Sequence, residues 1–376
     1  MSLDWPFHEP RHRDLAVRLN EWASANLGGD HGDDVDAQCR ALVARLGAAD
    51  FLELCVGTDH LPDVRSLAIA RETLAYHSGL ADFVFAMQGL GSGAISLAGS
   101  PQQKAEWLPK VASGAAIAAF AMTEPATGSD AANIAMTARP DRDGYVLDGE
   151  KTYISNGGIA DFYTVLARTG EAEGARGLSM FIVRADDPGL TVAERIEVIA
   201  PHPLARLKFV GVRGDLIGAS GDGFAIAMRV LTLFRVTVAA AALGFARRAL
   251  DEAIAFSTGR KLGTATLADN AVTQAKLADM ATAIDASALL IARAAWQQDS
   301  SPHDNRRAAA MAKLHATESA QTVIDMAVQL HGGMGVTKGA IVESLYREIR
   351  ALRIYEGASE VQRQIIARDL LKEAVR

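Results

Sequence analysis

The chain changes its hydrophobic period twice, near residues 119 and 222, and those two changes outline the fold it can adopt. Residues 11 to 118 read as helices. Leu15, Leu19 and Trp22 recur at helical spacing, as do Leu42, Val43 and Leu46, and Leu67 to Ala75 continues the pattern. Ala81 to Gly99 is apolar with several glycines, a composition of tightly packed helices. Pro101 falls near the start of the next helix, where its missing N–H is tolerated. Beyond 119 the runs shorten. Tyr145-Val146-Leu147 leads through a turn at Asp148-Gly149 to Lys151-Thr152-Tyr153-Ile154. Then come Tyr163 to Leu166, Met180 to Val183 and Leu207 to Val210. These β-branched and aromatic runs, bounded by Gly, Asp and Pro, predict strands of a small antiparallel domain. From Phe224 long helices return, over about 224–258, 267–297, 304–330 and 359–374. The expected fold is mainly α with a central β domain, divided at 1–118, 119–222 and 223–376.

With 376 residues, 49% of them hydrophobic, the chain can bury a sizeable core. A net charge of −7 argues against non-specific nucleic-acid binding, which needs a basic face, but leaves room for a local phosphate pocket. Cys39 and Cys55 form no CxxC pattern, so neither a disulfide framework nor a zinc site is expected, and a reduced cytoplasmic setting fits. The N-terminal MSLDWPFHEP shows no secretory signal. The longest apolar run, Val236 to Ala246, is shorter than a membrane span. The loop Gly28 to Asp34, with His31 among aspartates, imitates a metal site but reads as a solvated connector. No GxGxxG stands in a strand-turn-helix setting, which leaves a Rossmann domain unsupported.

Three stretches carry chemistry on their own residues, each with a plainer alternative. Phe120 to Asp130, FAMTEPATGSD, offers hydroxyls at Thr123, Thr127 and Ser129 and free N–H groups around Gly128. That suits a polar-ligand loop, or an ordinary helix-to-strand turn. Tyr153 reads as a ligand platform or a plain strand aromatic. Glu356 reads as a general base or as an acid favoured before a helix N-terminus.

Taken in order, FAMTEPATGSD, then EKTYISNG (Glu150 to Gly157), QLHGGMG (Gln329 to Gly335) and IYEGASEVQR (Ile354 to Arg363) resemble the acyl-CoA dehydrogenase family over nearly the whole chain. The resemblance implies a three-domain subunit, FAD, and α,β-dehydrogenation of an acyl-CoA thioester. It makes Glu356 the base that takes the α-proton while the β-hydride passes to flavin N5. Hydrogen bonds to the thioester carbonyl, one from the Glu356 N–H, would stabilise the developing enolate. It places Phe120, Met122, Thr123, Gly128 and Ser129, with Tyr153, Ile154 and Ser155, along the flavin ring and its ribityl chain. Ser129 would also approach the pantetheine, Gly357 would let the backbone pass close to the thioester, and Arg235 would contact the CoA nucleotide. Ala358 and Glu360 match cofactor-touching positions. Arg260, Asn270, Gln329, Gly332 and Gly333 would serve the adenine half of FAD, partly across a subunit boundary. His331 is expected to pack locally.

The chain departs from the family at several of these positions. Tyr-Ile-Ser stands for Trp-Ile-Thr, Ala358 for Thr, Asn270 for Gln, and Thr232 for the Asp partner of Arg235. Arg260 lies three residues before Gly263 instead of four. The resemblance further implies an electron-transfer flavoprotein as acceptor and a homotetramer built as a dimer of dimers. PHPL (Pro201 to Leu204), Ala241 to Ala253 and Gln274 to Thr282 look most like dehydrogenases of cyclic acyl-CoAs such as cyclohexanecarboxyl-CoA. Competing readings are a flavin oxidase or monooxygenase on this fold, the latter having no need of Glu356, and a flavin-free thioester-binding subunit.

Overall fold

The computed structural model describes residues 3–27, 34–57, 62–142, 144–301 and 305–374. His31 and most of its acidic loop lie outside the described residues. Five helices come first: α1 (Pro10–Asn26), α2 (Val35–Ala48), α3 (Val64–His77), α4 (Gly79–Ala98) and α5 (Pro101–Ala112). The strands are β1 (Ala118–Ala121), β2 (Thr137–Asp141), β3 (Gly144–Ser155), β4 (Phe162–Arg168), β5 (Leu178–Arg184), β6 (Leu190–Arg195) and β7 (Leu204–Ile217). Helix α6 (Gly223–Gly259) precedes a small hairpin, β8 (Lys261–Leu262) and β9 (Ala265–Thr266). Then come α7 (Ala271–Ser300), α8 (Arg306–His331), α9 (Ile341–Leu352) and α10 (Ser359–Ala374). Helices, a β region, and helices again follow in the order the sequence predicts.

By contact the chain forms two compact units, each drawn from separated stretches. One comprises Met1–Gly28, Val64–Asp82 and Thr232–Arg376 and is helical. Its buried face on α8 runs Ala309, Lys313, Ala316, Ala320, Ile324, a helical stripe with one cation inside it. The other comprises Gly29–Asp63 and Phe83–Leu231 and holds β1 to β7. Their sheet runs β1-β4-β2-β3-β7-β5, with β6 beside β7, and a β4–β5 pairing returns the path on itself. Phe162, Val165, Leu166, Phe181, Val183 and Phe209 fill its interior.

Four expectations need correction. Asp148-Gly149 is not a turn: β3 runs through it, and the β3–β7 register shifts between Leu147 and Gly149, so the dipeptide makes a bulge. The Asp148 carboxylate is used there, accepting from Gly211 N at 2.8 Å. The sheet is not wholly antiparallel, since β1 pairs with β4 in parallel. Helices α4 and α6 are long and apolar enough to cross a membrane, although α6 carries Arg229 and Arg235; their apolar windows are 78% and 83% buried, as core helices are. Finally, α9 and the strands β1, β2, β6, β8 and β9 went unpredicted. Helix α9 is short and charge-laden, with its stripe at Val342, Leu345, Ile349 and Leu352, and β6 is an edge strand with most residues exposed.

Candidate active site

In the β-containing unit, the polar loop is stapled to β3 by a buried ion pair. Lys151 Nζ donates to Glu124 Oε1 and to the Met122 carbonyl, both at 2.9 Å. Glu124 also accepts from Ala135 N at 2.7 Å and Met136 N at 3.0 Å. Burial pushes the Lys151 ammonium down to about 8 against the pull of Glu124. Thr152 N bonds to the Thr123 carbonyl at 2.9 Å, so loop and strand form one surface.

On that surface Phe120, Met122 and Thr123 are half-buried and Gly128 and Ser129 are exposed. The hydroxyls of Thr123, Ser129 and Ser155 bond to no protein group among the described residues. Gly128 is not left-handed, and nothing lies within 4 Å of where its Cβ would be, which leaves the loop open to close approach of a ligand. Tyr153 is 63% exposed and left-handed, with φ 54°. It sits in a second register shift of β3 against β7, between Lys151 and Ile154, which turns the ring out while Ile154 goes into the core. Asn156 fixes the strand end through Nδ2 to the Ala118 carbonyl at 3.0 Å. An exposed aromatic on a strained residue, beside unpaired hydroxyls and an open glycine, fits a flat, polar-edged ring system such as a flavin.

In the helical unit, Glu356 lies between α9 and α10 on a turn whose residues are left-handed twice over, with φ 53° at Glu356 and 94° at Gly357. A Cβ on Gly357 would stand 2.6 Å from Gln362 Nε2, a side-chain end that can move aside, so it is the φ of 94° that calls for glycine there. The turn is tied down from three helices. Arg235 Nε on α6 donates to the Glu356 carbonyl at 3.3 Å, Lys313 Nζ on α8 to the Gly357 carbonyl at 2.9 Å, and Gln362 Nε2 on α10 to the Gly357 carbonyl at 2.8 Å. Glu318 holds both flanks, pairing with Arg353 at 2.7 Å and accepting from Ser359 Oγ.

Glu356 Oε2 is buried and has no hydrogen-bond partner among the described residues. Burial raises this carboxyl above the usual range; Arg71, Lys313 and Arg235 oppose the rise and Asp82 adds to it. Arg71 and Asp82 form a bidentate pair with both contacts at 2.8 Å, and Arg71 Nη1 reaches Thr237 Oγ1 at 3.1 Å. Burial also lowers Lys313 to about 8 and lowers Arg235, Glu356 acting against it in both cases. An acid-base group with one buried, orphaned oxygen beside cations is equipped to take a proton.

The other expected residues fall elsewhere. Arg235 is 6% exposed, with its Nε on the Glu356 carbonyl. Glu360 is exposed, and Ala358 precedes α10 with no hydroxyl to give. Arg260, Asn270, Gln329, Gly332 and Gly333 are all exposed. Asn270 caps α7 through Oδ1 to Val272 N at 2.8 Å. Stacking of His331 on Phe256 at 4.3 Å, with Leu267 N bonded to the Arg260 carbonyl, gathers the ends of α6, α7 and α8 that carry these residues. His331 packs locally, as expected. The sequence reading passed over Arg71, Asp82, Glu124, Lys151, Lys313, Glu318 and Gln362. For Lys313 a signal exists: it interrupts an alanine stripe at helical spacing.

Three family models match the chain in order: acyl-CoA dehydrogenase N-terminal domain over residues 10–115, middle domain over 119–212 and C-terminal domain over 221–371. The chain is 37% identical over 316 residues to the 3-(aryl)acrylate reductase of Clostridium sporogenes, covering 82% of this chain and 84% of the relative. It is 36% identical over 313 residues to the cyclohexane-1-carbonyl-CoA dehydrogenase of Geobacter metallireducens, covering 82% of each. Among solved structures, butyryl-CoA dehydrogenase from Megasphaera elsdenii superposes with a TM-score of 0.86 at 28% identity, over 96% of this chain and 98% of the other. The chain therefore belongs to the acyl-CoA dehydrogenase family of FAD-dependent oxidoreductases acting on CH–CH bonds.

Proposed function

We propose that the protein dehydrogenates a short, branched or cyclic acyl-CoA thioester between its α and β carbons, with Glu356 as the α-proton base. The observation that carries this is Glu356 Oε2, buried and unpartnered on a turn held from three helices. A carboxylate with a raised pKa and one buried, unpartnered oxygen is poised to accept a proton. The Glu356 N–H, which has no backbone acceptor among the described residues, is the donor for the thioester carbonyl, where enolate charge develops. FAD, when bound, supplies the two-electron acceptor for the β-hydrogen.

For that cofactor we assign Phe120, Met122, Thr123, Gly128, Ser129, Tyr153, Ile154 and Ser155 to the ring and ribityl chain. Arg260, Asn270, Gln329, Gly332, Gly333, Ala358 and Glu360 serve the rest, with Gln329 to Gly333 reaching a neighbouring subunit's FAD in a homotetramer. Ser129 and Gly357 border the substrate, and Arg235 serves it from beneath Glu356. We take 1–118, 119–222 and 223–376 as the domains, the cytoplasm as the setting, and an electron-transfer flavoprotein as the acceptor. The cyclohexane-1-carbonyl-CoA dehydrogenase relative supports the ring-acyl preference.

A second reading is favoured by the reductase relative: the same residues run in reverse would saturate an α,β-unsaturated acyl group, the protonated Glu356 returning its proton to the α-carbon and FAD, when bound and reduced, supplying the hydride for the β-carbon. Anaerobic mixing with saturated and α,β-unsaturated acyl-CoAs tests both. Saturated thioesters should bleach the oxidised flavin in the wild type and fail to do so in Glu356→Gln. Bleaching of that variant at the wild-type rate would remove Glu356 as the base. Reoxidation of chemically reduced enzyme by the unsaturated series, with no bleaching by the saturated one, would decide for the reductase.

A further inference from the structure

Left-handed conformation at a non-glycine residue is strained and persists only where its surroundings over-determine it. At Glu356 and Gly357 the surroundings are hydrogen-bond donors aimed at two successive carbonyls. Lys313 and Gln362 are fully buried, and Arg235 nearly so. Gln362 Nε2 alone reaches both carbonyls, at 3.3 Å for Glu356 and 2.8 Å for Gly357. The Gly357 carbonyl therefore has a neutral donor already, and satisfying it does not account for a second donor that carries a charge into a dry core.

We infer that Lys313 is a positioning residue for the Glu356 base. It fixes the direction of the turn through the Gly357 carbonyl, and it keeps a cation below the carboxylate that favours its proton-accepting form. The inference rests on Glu356 being the base. With both carbonyls drawn toward the helices, the turn leaves unbonded the Glu356 N–H and one carboxylate oxygen, the two groups the chemistry uses. The charged groups around Lys313 are Glu356 and Arg235, with Glu318 on its own helix and Glu360 on α10; around Glu356 stand Arg71 from α3 and Asp82 from α4 as well. Arg71 is already bound in both directions to Asp82, whereas Lys313 has no salt-bridge partner among the described residues. Lys313 and Arg235 are thus the two cations given to this site, and of the two Lys313 is the more deeply buried.

The test uses the holoenzyme and the variants Lys313→Met, which loses donor and charge, and Lys313→Gln, which loses only charge. Melting temperature and flavin content report on fold. Single-turnover flavin reduction by the best acyl-CoA, measured against pH, reports on the base. Removing the cation raises the Glu356 pKa, so the acid limb of the rate profile should move to higher pH in both variants. Lys313→Met should also lose ~10²-fold at the plateau from misdirection of the carboxylate. Lys313→Gln should recover most of the plateau rate while keeping the shifted limb, and KM should change less than kcat. A wild-type limb in Lys313→Gln overturns the inference, and that arm decides even if Lys313→Met does not fold. Glu356→Gln separates the two levels. If it is active, the base assignment falls; if it is inert while the Lys313 variants keep the wild-type limb, only the role of Lys313 falls.

Discussion

Lys151 Nζ lies 2.9 Å from Glu124 Oε1, with 0% and 5% of the two side chains exposed, and this ion pair is the charged link between the loop carrying Thr123 and Ser129 and the strand carrying Tyr153. Breaking a buried pair from one side typically costs about 3–5 kcal/mol because the survivor is left uncompensated. Lys151→Met should lower the melting temperature and release FAD on gel filtration. Adding Glu124→Gln to it should restore part of the melting temperature, since no buried charge then remains. A single variant that melts and retains FAD like the wild type would show that the pair does not hold the loop.

Tyr153 separates stability from cofactor retention. Its left-handed backbone, at φ 54°, costs the apoprotein on the order of 1 kcal/mol, which glycine would relieve and alanine would not. Tyr153→Gly should therefore melt higher than Tyr153→Ala as apoprotein, while both bind FAD more weakly than the wild type. Equal FAD affinity in all three, by fluorescence titration, would remove the ring from the flavin surface.

For Glu356 the conservative replacements should rank. Glu356→Asp keeps the carboxylate but draws it back by one methylene, and roughly 1 Å of misplacement can cost ~10²-fold. Its flavin reduction should fall between the wild type and an inert Glu356→Gln. Glu356→Gln should keep FAD and still bind non-reacting acyl-CoA analogues, read as a perturbed flavin spectrum. Because burial raises the Glu356 pKa, the wild-type rate should climb with pH through a midpoint above the ordinary carboxylate range.

Glu348 on α9 gives a prediction about stability. Burial raises it from 4.5 to about 7, Arg347 opposing and Asp82 adding. Between those two values the folded chain holds a proton that the unfolded chain has released, so this group's contribution to stability falls as pH rises through that window. The full effect is on the order of 3 kcal/mol. Glu348→Gln should therefore lose less melting temperature than the wild type between pH 5 and pH 8. Parallel curves would mean that Glu348 titrates normally.

Assembly and cofactor should be linked. Sedimentation of the flavin-saturated protein should give a dimer at least, and a tetramer on the reading above. A flavin-saturated monomer would refute the role given to Gln329 through Gly333. Arg260→Ala should weaken FAD retention if the shifted register still serves the pyrophosphate.

Much of the fold was legible because period alone carries it. The α–β–α order follows from spacing in stretches such as Leu15–Leu19–Trp22 and from the short runs at Tyr163 and Met180. The failures have local causes. Asp148-Gly149 has the chemistry of a turn, but pairing of β3 with its neighbours on both sides turned it into a bulge. Helix α9 hides its apolar stripe among charges. In the site, motif residues such as Tyr153 and Glu356 could be named from the chain, and their left-handed geometry could not. The charged surroundings were out of reach because Arg71 and Arg235 come to the neighbourhood of Glu356 from distant stretches, which no local pattern reveals.

The two-residue left-handed turn at Glu356 has a consequence for how such a site can change over generations. The aim of the carboxylate is written in the main chain and guarded by Gly357, while its acidity is written in side chains on α3, α4, α6 and α8. Joint replacement of Arg71 and Asp82, a buried pair that is costly to break from one side, would alter the working pH of the site with the direction of attack left intact. A lineage could in this way move between habitats or substrates of different α-proton acidity by changing residues that never meet the substrate. The reverse economy does not exist, because loss of the glycine would disturb aim and acidity together.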